Sequence, residues 1–376
     1  MVYNSFQELK LSALGLGAMR LPVMEGDDSR IDEAESQRLV DYAMEQGINF
    51  YDTAWGYHGG NSETVLGKLL SKYPRESYCL ATKFPGYDPE NFTKVEEIFE
   101  EQLKKCGVEY FDFYFFHNVT EKNIDNYLNK AYGVFAFLKK QKELGRIKHL
   151  GFSAHGGLKT MRRFLAAYGP HMEFGMIQLN YLDYTFQQAR EKIALLSEYD
   201  VPVWVMEPLR GGKLAALPQE YAQRLRAIRP EETIPGWAFR FLQSLPEVTV
   251  TLSGMSNFQQ LRDNIRTYET HAPLNREEMD AILGVADEML KQKTVPCTGC
   301  KYCLNYCEQE LDIPGLLGIY NEHSVTGGGF LAESALAALP EEKRPQACIG
   351  CKKCEEVCPQ EIKISETLAD FAEKLK

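Results

Sequence analysis

Gly47-Ile48-Asn49-Phe50-Tyr51-Asp52-Thr53-Ala54-Trp55-Gly56-Tyr57 begins as a short apolar strand, closes on a carboxylate and runs into a turn. The next segment, Asn61-Ser62-Glu63-Thr64-Val65-Leu66-Gly67, opens a helical stretch over 62–71. The same unit, a short apolar run followed by an amphipathic stretch, recurs along the chain. The sequence predicts strands at 48–52, 78–82, 111–116, 147–152, 176–179, 201–206 and 248–252, with an earlier one around 14–19. Between them it predicts helices such as 33–46, 62–71, 94–105, 124–144 and 186–199. About eight strand–helix alternations in roughly 260 residues imply a parallel sheet, and their number and length favour a closed (β/α)8 barrel of the α/β class. An open doubly wound sheet is the competing architecture. The first strand–helix turn, however, lacks the G-x-G-x-x-G pattern that a dinucleotide site in such a sheet would use.

At 376 residues the chain exceeds the usual size of one domain. The formal net charge of −11 argues against a nucleic-acid partner, which needs a basic footprint. No apolar run is long enough to span a bilayer, and residues 1–14 lack the basic-then-apolar pattern of a signal peptide. The expectation is a cytoplasmic enzyme with no membrane partner.

The ten cysteines are unevenly placed: Cys79 and Cys106 stand alone, and the other eight fall between Cys297 and Cys358. Composition changes near 291–296, so the expected division is a barrel over 1–285 and a small helical domain over 286–376. The first cysteine run is Cys297, Cys300, Cys303 and Cys307; the second is Cys348, Cys351, Cys354 and Cys358, followed by Pro359. Both have the spacing C-x2-C-x2-C-x3-C. Structural zinc would use two separated C-x2-C pairs and has no use for the extra thiolates. The doubled run, with its trailing proline, resembles bacterial ferredoxins. That resemblance implies two [4Fe-4S] clusters, each capped by the distal cysteine of the other run. One set would be Cys297, Cys300, Cys303 and Cys358; the other Cys348, Cys351, Cys354 and Cys307. Two features depart from the pattern: Glu308 in place of a proline, and the 40 residues from Glu308 to Ala347 between the runs.

The segment from Gly47 to Gly67 resembles the aldo-keto reductase signature, and the likeness runs in order over about 10–270. It implies a catalytic tetrad of Asp52, Tyr57, Lys83 in Ala81-Thr82-Lys83-Phe84, and His117 in Tyr114-Phe115-Phe116-His117-Asn118. Chemically, a phenol is a poor acid at neutral pH unless its anion is stabilised. An ammonium beside it, anchored by a carboxylate, would lower its pKa and ready it to protonate a carbonyl oxygen. Tyr57 would then be the general acid, Lys83 its tuner, Asp52 the anchor of Lys83, and His117 the group that orients the carbonyl or relays the proton. Each residue alone has an ordinary explanation as a capping, solvated or structural group. The four together at strand ends read as a site.

The resemblance also implies a nicotinamide cofactor, NADPH or NADH. Ser153 and Gln178 match groups that hold its carboxamide. Met206 matches a stacking position, Leu209 follows in the same loop, and Met19 ends the first strand. Gly254, Ser256, Gln260 and Asn264 match the loop and helix start that bind the adenosine phosphate, where backbone amides suit anions. Gly254 and Gln260 replace cations that many NADPH-specific relatives carry, which makes NADH plausible. Trp55 and His58 suggest a partly aromatic pocket for a small-molecule carbonyl or alcohol substrate. The clusters leave room for a redox protein partner. A nicotinamide gives up two electrons and each cluster accepts one, so direct transfer between them is not expected, and no flavin site is recognisable.

Overall fold

The computed structural model describes residues 1–297 and 299–376. The chain divides into two compact units, Met1–Ile282 and Leu283–Lys376. Among the described residues no helix is long and apolar enough to cross a membrane.

The first unit begins with an antiparallel hairpin, β1 (Tyr3–Phe6) and β2 (Leu9–Ser12), which no sequence expectation covered. Eight parallel strands then close a barrel: β3 (Leu14–Gly17), β4 (Phe50–Asp52), β5 (Cys79–Phe84), β6 (Phe111–Val119), β7 (Ile147–Ala154), β8 (Gly175–Gln178), β9 (Val203–Met206) and β10 (Val248–Ser253). Pairing runs in chain order and ends with β10 beside β3, through Thr251↔Leu14 and Leu252↔Gly15. The (β/α)8 expectation therefore holds, and the open sheet is excluded.

Rings fill the barrel. Phe50, Phe113, Phe115, Phe174 and Trp204 are fully buried together, with Phe6 and Leu11 of the hairpin packed among them. Phe174 stacks on Trp204 at 4.1 Å. Gly151 is required there, because a Cβ would lie 2.4 Å from the Phe174 ring. Phe6 sits edge-on to Trp204 near the start of β9, so the hairpin closes the N-terminal end of the strands. The C-terminal ends are left to the loops, where barrel enzymes build their sites.

Two expected helices are broken. The stretch 124–144 is Ile124–Leu128, a turn at Lys130–Tyr132, and Val134–Glu143. Asn129 accepts the Ala131 N–H at 3.0 Å, and Gly133 takes a left-handed φ of 68°. The stretch 186–199 is Asp183–Phe186 and Ala189–Ser197, separated by Gln188 at φ 54°. Side-chain capping by Asn129 and αL geometry at Gly133 override the apolar periodicity at the first place, and αL geometry at Gln188 does so at the second.

The helix Arg276–Lys293 spans the boundary between the units. Among the described residues the second unit contains helices and 3-10 turns and no strand. Its core is Leu311, Ile313, Leu316, Leu317, Ile362, Ile364 and Leu368, packed with Cys303 and Cys354. The helix Ile313–Thr326 starts on Asp312, which accepts the Gly315 N–H, with Pro314 in its first turn, and it ends at Gly327 in the left-handed region. Those are the stop and start signals expected of a helix stabilised at both ends.

Candidate functional sites

Three strand ends bring the expected tetrad together. Asp52 ends β4, Lys83 lies in β5, and His117 lies in β6, whose register sets Lys83 beside Phe115. The Lys83 ammonium donates to both oxygens of Asp52 at 2.7 Å and to the Thr53 carbonyl at 2.6 Å. Both side chains are buried. Burial pushes the Asp52 carboxyl up and the Lys83 ammonium down, while their mutual attraction opposes both shifts. Tyr57 opens a 3-10 turn after Gly56, and the Lys83 nitrogen lies 5.0 Å from its ring centroid. The Tyr57 and His117 rings meet edge to face at 6.1 Å.

The electrostatics of Tyr57 differ from the expectation. Burial pushes its phenol well above the ordinary value, and Asp52, Glu207 and Tyr87 push it further. The shift is upward, with no lowering by Lys83 beside it; that ammonium is bonded to Asp52. His117 moves the other way: burial, then Lys83 and His155, hold it well below its ordinary value, so its imidazole is neutral near pH 7. Its Nδ1 is buried and makes no hydrogen bond among the described residues.

His58, expected to contribute to the substrate pocket, is buried against the loop after β3. Its Nε2 accepts the Leu21 N–H at 3.1 Å and its Nδ1 faces the Asp28 carbonyl at 2.7 Å, which pins the loop after β3. Tyr87, which the sequence reading missed, takes a place at the site. Its ring lies 5.6 Å from that of His117, and its hydroxyl covers Gly56. Also missed was a polar network behind β5. Glu63, wholly buried, accepts from Thr82 Oγ1 and Gln102 Nε2, both at 2.7 Å. Gln102 also donates to the Lys83 carbonyl at 3.0 Å and accepts from the Tyr114 hydroxyl at 2.6 Å. Lys105 stands 3.6 Å from the other Glu63 oxygen and 3.9 Å from the Trp55 ring centroid. The one sequence signal for this network was Glu63, a charge on the face of helix Ser62–Leu70 that packs inward.

With that geometry in place, comparison with known proteins is decisive. The aldo/keto reductase family model matches residues 13–287. The chain belongs to the aldo/keto reductase family. Its barrel is thus an oxidoreductase domain of that family, and residues 296–364 match a 4Fe-4S dicluster domain. The chain is 26% identical to the NADH-specific methylglyoxal reductase of Escherichia coli K12, over 73% of this chain and 94% of that protein. It is 30% identical to probable aldo-keto reductase 1 of Glycine max, a match that spans 58% of the soybean protein and 55% of this one. The aldo-keto reductase AKR11C1 of Bacillus halodurans, in its holo form, has the same fold at a TM-score of 0.61 and 24% identity, covering 76% of this chain and 96% of that one.

Around the mouth of this aldo/keto reductase barrel lie the residues expected to meet a nucleotide. Ser153 Oγ accepts the Asn118 N–H at 2.9 Å, and Asn118 reaches that position by a left-handed φ of 56°. Gln178 donates its amide to Asp183 at 2.8 Å. The same buried carboxylate receives Asn180 at 2.7 Å and the Arg210 Nε at 3.0 and 3.1 Å, a set of anchors the sequence reading missed. Met206, which ends β9, and Leu209 after it are half-buried, and Met19 is exposed after β3. After β10, Gly254 and Ser256 are exposed, and the Ser256 N–H donates to Gln260 Oε1 at 2.8 Å. Asn264 is buried and donates to Ser253 Oγ at 3.2 Å.

In the second unit all eight clustered cysteines are free thiols. They line two separate pockets. Cys297, Cys300, Cys303 and Cys358 face the first, and Cys307, Cys348, Cys351 and Cys354 face the second. Each set draws three cysteines from one run and the last from the other. Leu317, Ile362 and Ile364 wall the first cavity, and Leu311, Ile313 and Leu368 the second. Four thiols around an apolar-walled space suit a 4Fe-4S cubane, whose irons are spread over a cage.

Proposed function

We propose that the barrel is an NAD(P)H-dependent carbonyl reductase, with NADH the preferred donor, and that the C-terminal domain carries two [4Fe-4S] clusters for electron transfer with an outside partner. The observation that carries the first part is the buried Asp52–Lys83 pair beneath Tyr57, with His117 edge-on to the phenol. Tyr57 stays protonated across the physiological range, because everything that shifts it shifts it up. It is therefore a proton donor in the direction of carbonyl reduction. Neutral His117 is suited to hydrogen-bond the carbonyl oxygen and orient it. Lys83, held by three acceptors, keeps a positive charge close to where negative charge would develop on that oxygen.

The residues fit a nicotinamide. Ser153 accepts from Asn118, which leaves its own O–H to donate, and the buried Asn118 Oδ1 makes no hydrogen bond among the described residues. A donor on one and an acceptor on the other suit a primary carboxamide. Bound there, the cofactor would supply the hydride. NADH is favoured because positions 254 and 260 offer no cation for a 2′-phosphate, and a relative's name records NADH specificity. That name also records methylglyoxal as substrate, in keeping with a small carbonyl compound here.

The two sets of four thiols support two clusters with crossed ligands. Hydride moves two electrons and a cluster takes one, so the carbonyl reaction and the cluster redox work are separate events. The test is Tyr57→Phe in anaerobically purified protein. NADH-dependent turnover of small aldehydes should fall by about 10²–10⁴-fold with iron and sulfide content unchanged. Undiminished turnover would sink the assignment.

A further inference from the structure

Tyr57 stands at the head of a backbone course that L-residues adopt with difficulty. The three residues after it, His58, Gly59 and Gly60, all take left-handed φ values, of 54°, 63° and 93°. Glycine enters that region freely, but His58 carries a Cβ and enters it at a cost. Such a turn keeps one shape only where its surroundings determine it. Its own backbone holds it by long bonds, from the Tyr57 N–H to the Ala54 carbonyl and from the Asn61 N–H to the His58 carbonyl, both at 3.2 Å. Among the described residues the Tyr57 hydroxyl makes no hydrogen bond, so the phenol is placed by this backbone and by its ring contacts with Lys83 and His117.

The determining contacts come from the loop after β3. That loop is itself closed, by the pairing of Val23 with Ile31 and by the Met24 and Asp32 N–H groups on the Arg30 and Pro22 carbonyls, both at 2.8 Å. The buried His58 ring reaches two of its backbone groups. The Leu21 N–H can only donate, so Nε2 is the bare nitrogen, and Nδ1 carries the hydrogen that goes to the Asp28 carbonyl. One neutral ring thus joins a donor and an acceptor of the loop. The rest of the turn follows the same surface. A Cβ on Gly59 would lie 3.3 Å from Ser29 Cβ, Asn61 Nδ2 donates to the Ser29 carbonyl at 2.9 Å, and Ser62 Oγ donates to the Ala18 carbonyl at 3.0 Å. Of these tethers His58 is the one next to Tyr57.

We infer that His58 is the positioning residue for Tyr57: its ring clamps the left-handed turn to the loop after β3 and so fixes where the phenol stands relative to Lys83 and His117. The inference rests on the reading of Tyr57 as the proton donor. Without the ring, the Leu21 N–H and the Asp28 carbonyl lose their partner, and nothing adjacent to Tyr57 holds position 58 at a positive φ. The phenol would then sample positions away from the reacting oxygen, and a misplacement of about 1 Å is enough to cost about 100-fold in rate.

The experiment is a double-mutant cycle on the full chain with its clusters, with NADH-dependent reduction of methylglyoxal as the probe reaction. His58→Ala should lower kcat by about 10- to 100-fold with KM little changed. His58→Asn should recover part of the loss, because Asn tolerates a positive φ and can donate to the Asp28 carbonyl, though it offers Leu21 no acceptor in the same place. In the Tyr57→Phe background, where the hydroxyl to be positioned is gone, His58→Ala should cost little more. Should His58→Ala not fold, His58→Asn carries the same cycle. Wild-type kcat in a folded His58→Ala protein overturns the inference. So does an equal loss with and without the Tyr57 hydroxyl, which would mark a general structural defect. A Tyr57→Phe enzyme as fast as wild type brings down the proposed function itself, and this inference with it.

Discussion

Replacing Asp52 with Asn should destabilise the barrel, and replacing Lys83 as well should restore most of what is lost. The two side chains are 5% and 2% exposed, and the ammonium donates twice to the carboxylate at 2.7 Å. Breaking a buried pair by removing one partner costs about 3–5 kcal/mol, because the remaining charge is stranded, whereas replacing both partners is often close to neutral. Asp52→Asn alone should therefore lower the melting temperature of the barrel by roughly 10 °C for a domain of this size. Lys83→Met alone should cost about as much, plus about 1 kcal/mol for the Thr53 carbonyl that loses its donor. The double variant should lie within about 2 kcal/mol of wild type, a coupling of roughly 3 kcal/mol or more. Tryptophan fluorescence is the assay, since Trp55, Trp204 and Trp237 all lie in the first unit and report on it alone. There is also a pH signature. In Asp52→Asn, burial depresses Lys83 with only the weaker pull of Glu63 left to oppose it, so between its folded and unfolded pKa values the unfolded chain holds more protons. The stability of that variant must then rise with pH through this window, and the deficit against wild type must shrink. Additive losses in the double variant would refute the buried-pair reasoning.

Two further outcomes follow from the geometry. With the crossed thiol sets, Cys307→Ala and Cys351→Ala should remove the same cluster, so that their combination keeps about four of about eight irons, whereas Cys307→Ala with Cys358→Ala should lose nearly all. Iron and sulfide analysis under argon decides, and iron loss that groups Cys307 with Cys303 would exclude crossing. Glu173 gives a pH dependence: burial would raise its carboxyl, but His149, Lys142, Gln7 and the Leu150 amide hold it down to about 2. The folded pKa is depressed, so its contribution of roughly 3 kcal/mol is present above the unfolded value and lost as pH falls from about 4.5 toward 2. Urea unfolding of Glu173→Gln and wild type should differ most near neutral pH and converge at the acid end; a gap independent of pH would contradict this.

The sequence revealed those parts of the molecule whose information is local. Apolar runs of four to six residues ending in Asp52 or before His117 announce strands, and cysteine spacing announces a cluster-binding loop. The hairpin Tyr3–Phe6 and Leu9–Ser12 was not legible, because each strand has four residues and few of them, Phe6, Leu9 and Leu11, pack on the ring cluster inside the barrel. The helix breaks at Gly133 and Gln188 were hidden by periodicity that continues across them. Asp183 and Glu63 were missed for another reason. Their partners, Gln178 with Arg210 and Thr82 with Gln102, lie 5 to 39 residues away and are set by tertiary structure alone. The upward shift of Tyr57 was not legible for the same reason, since it comes from burial and from Asp52, Glu207 and Tyr87, which only the fold brings near it.

That upward shift bears on how the proposed site would work. A phenol raised by burial looks like a weaker acid, yet the oxygen it must protonate would lie in the same buried place. Burial raises the alkoxide's pKa too, and an alcohol is the weaker acid from the start, so on the proposed reading the proton would still run from Tyr57 to the substrate. Before reaction the site holds a matched ion pair, a neutral phenol and a neutral imidazole. The new charge in the reduction direction is the one that develops on the carbonyl oxygen as hydride arrives. Lys83 and the Tyr57 hydroxyl interact with that charge far more strongly than with the neutral carbonyl, which is differential stabilisation of the transition state. Asp52 then serves to keep Lys83 charged in a place where burial alone would neutralise it. On this account Asp52→Asn should impair turnover more than substrate binding.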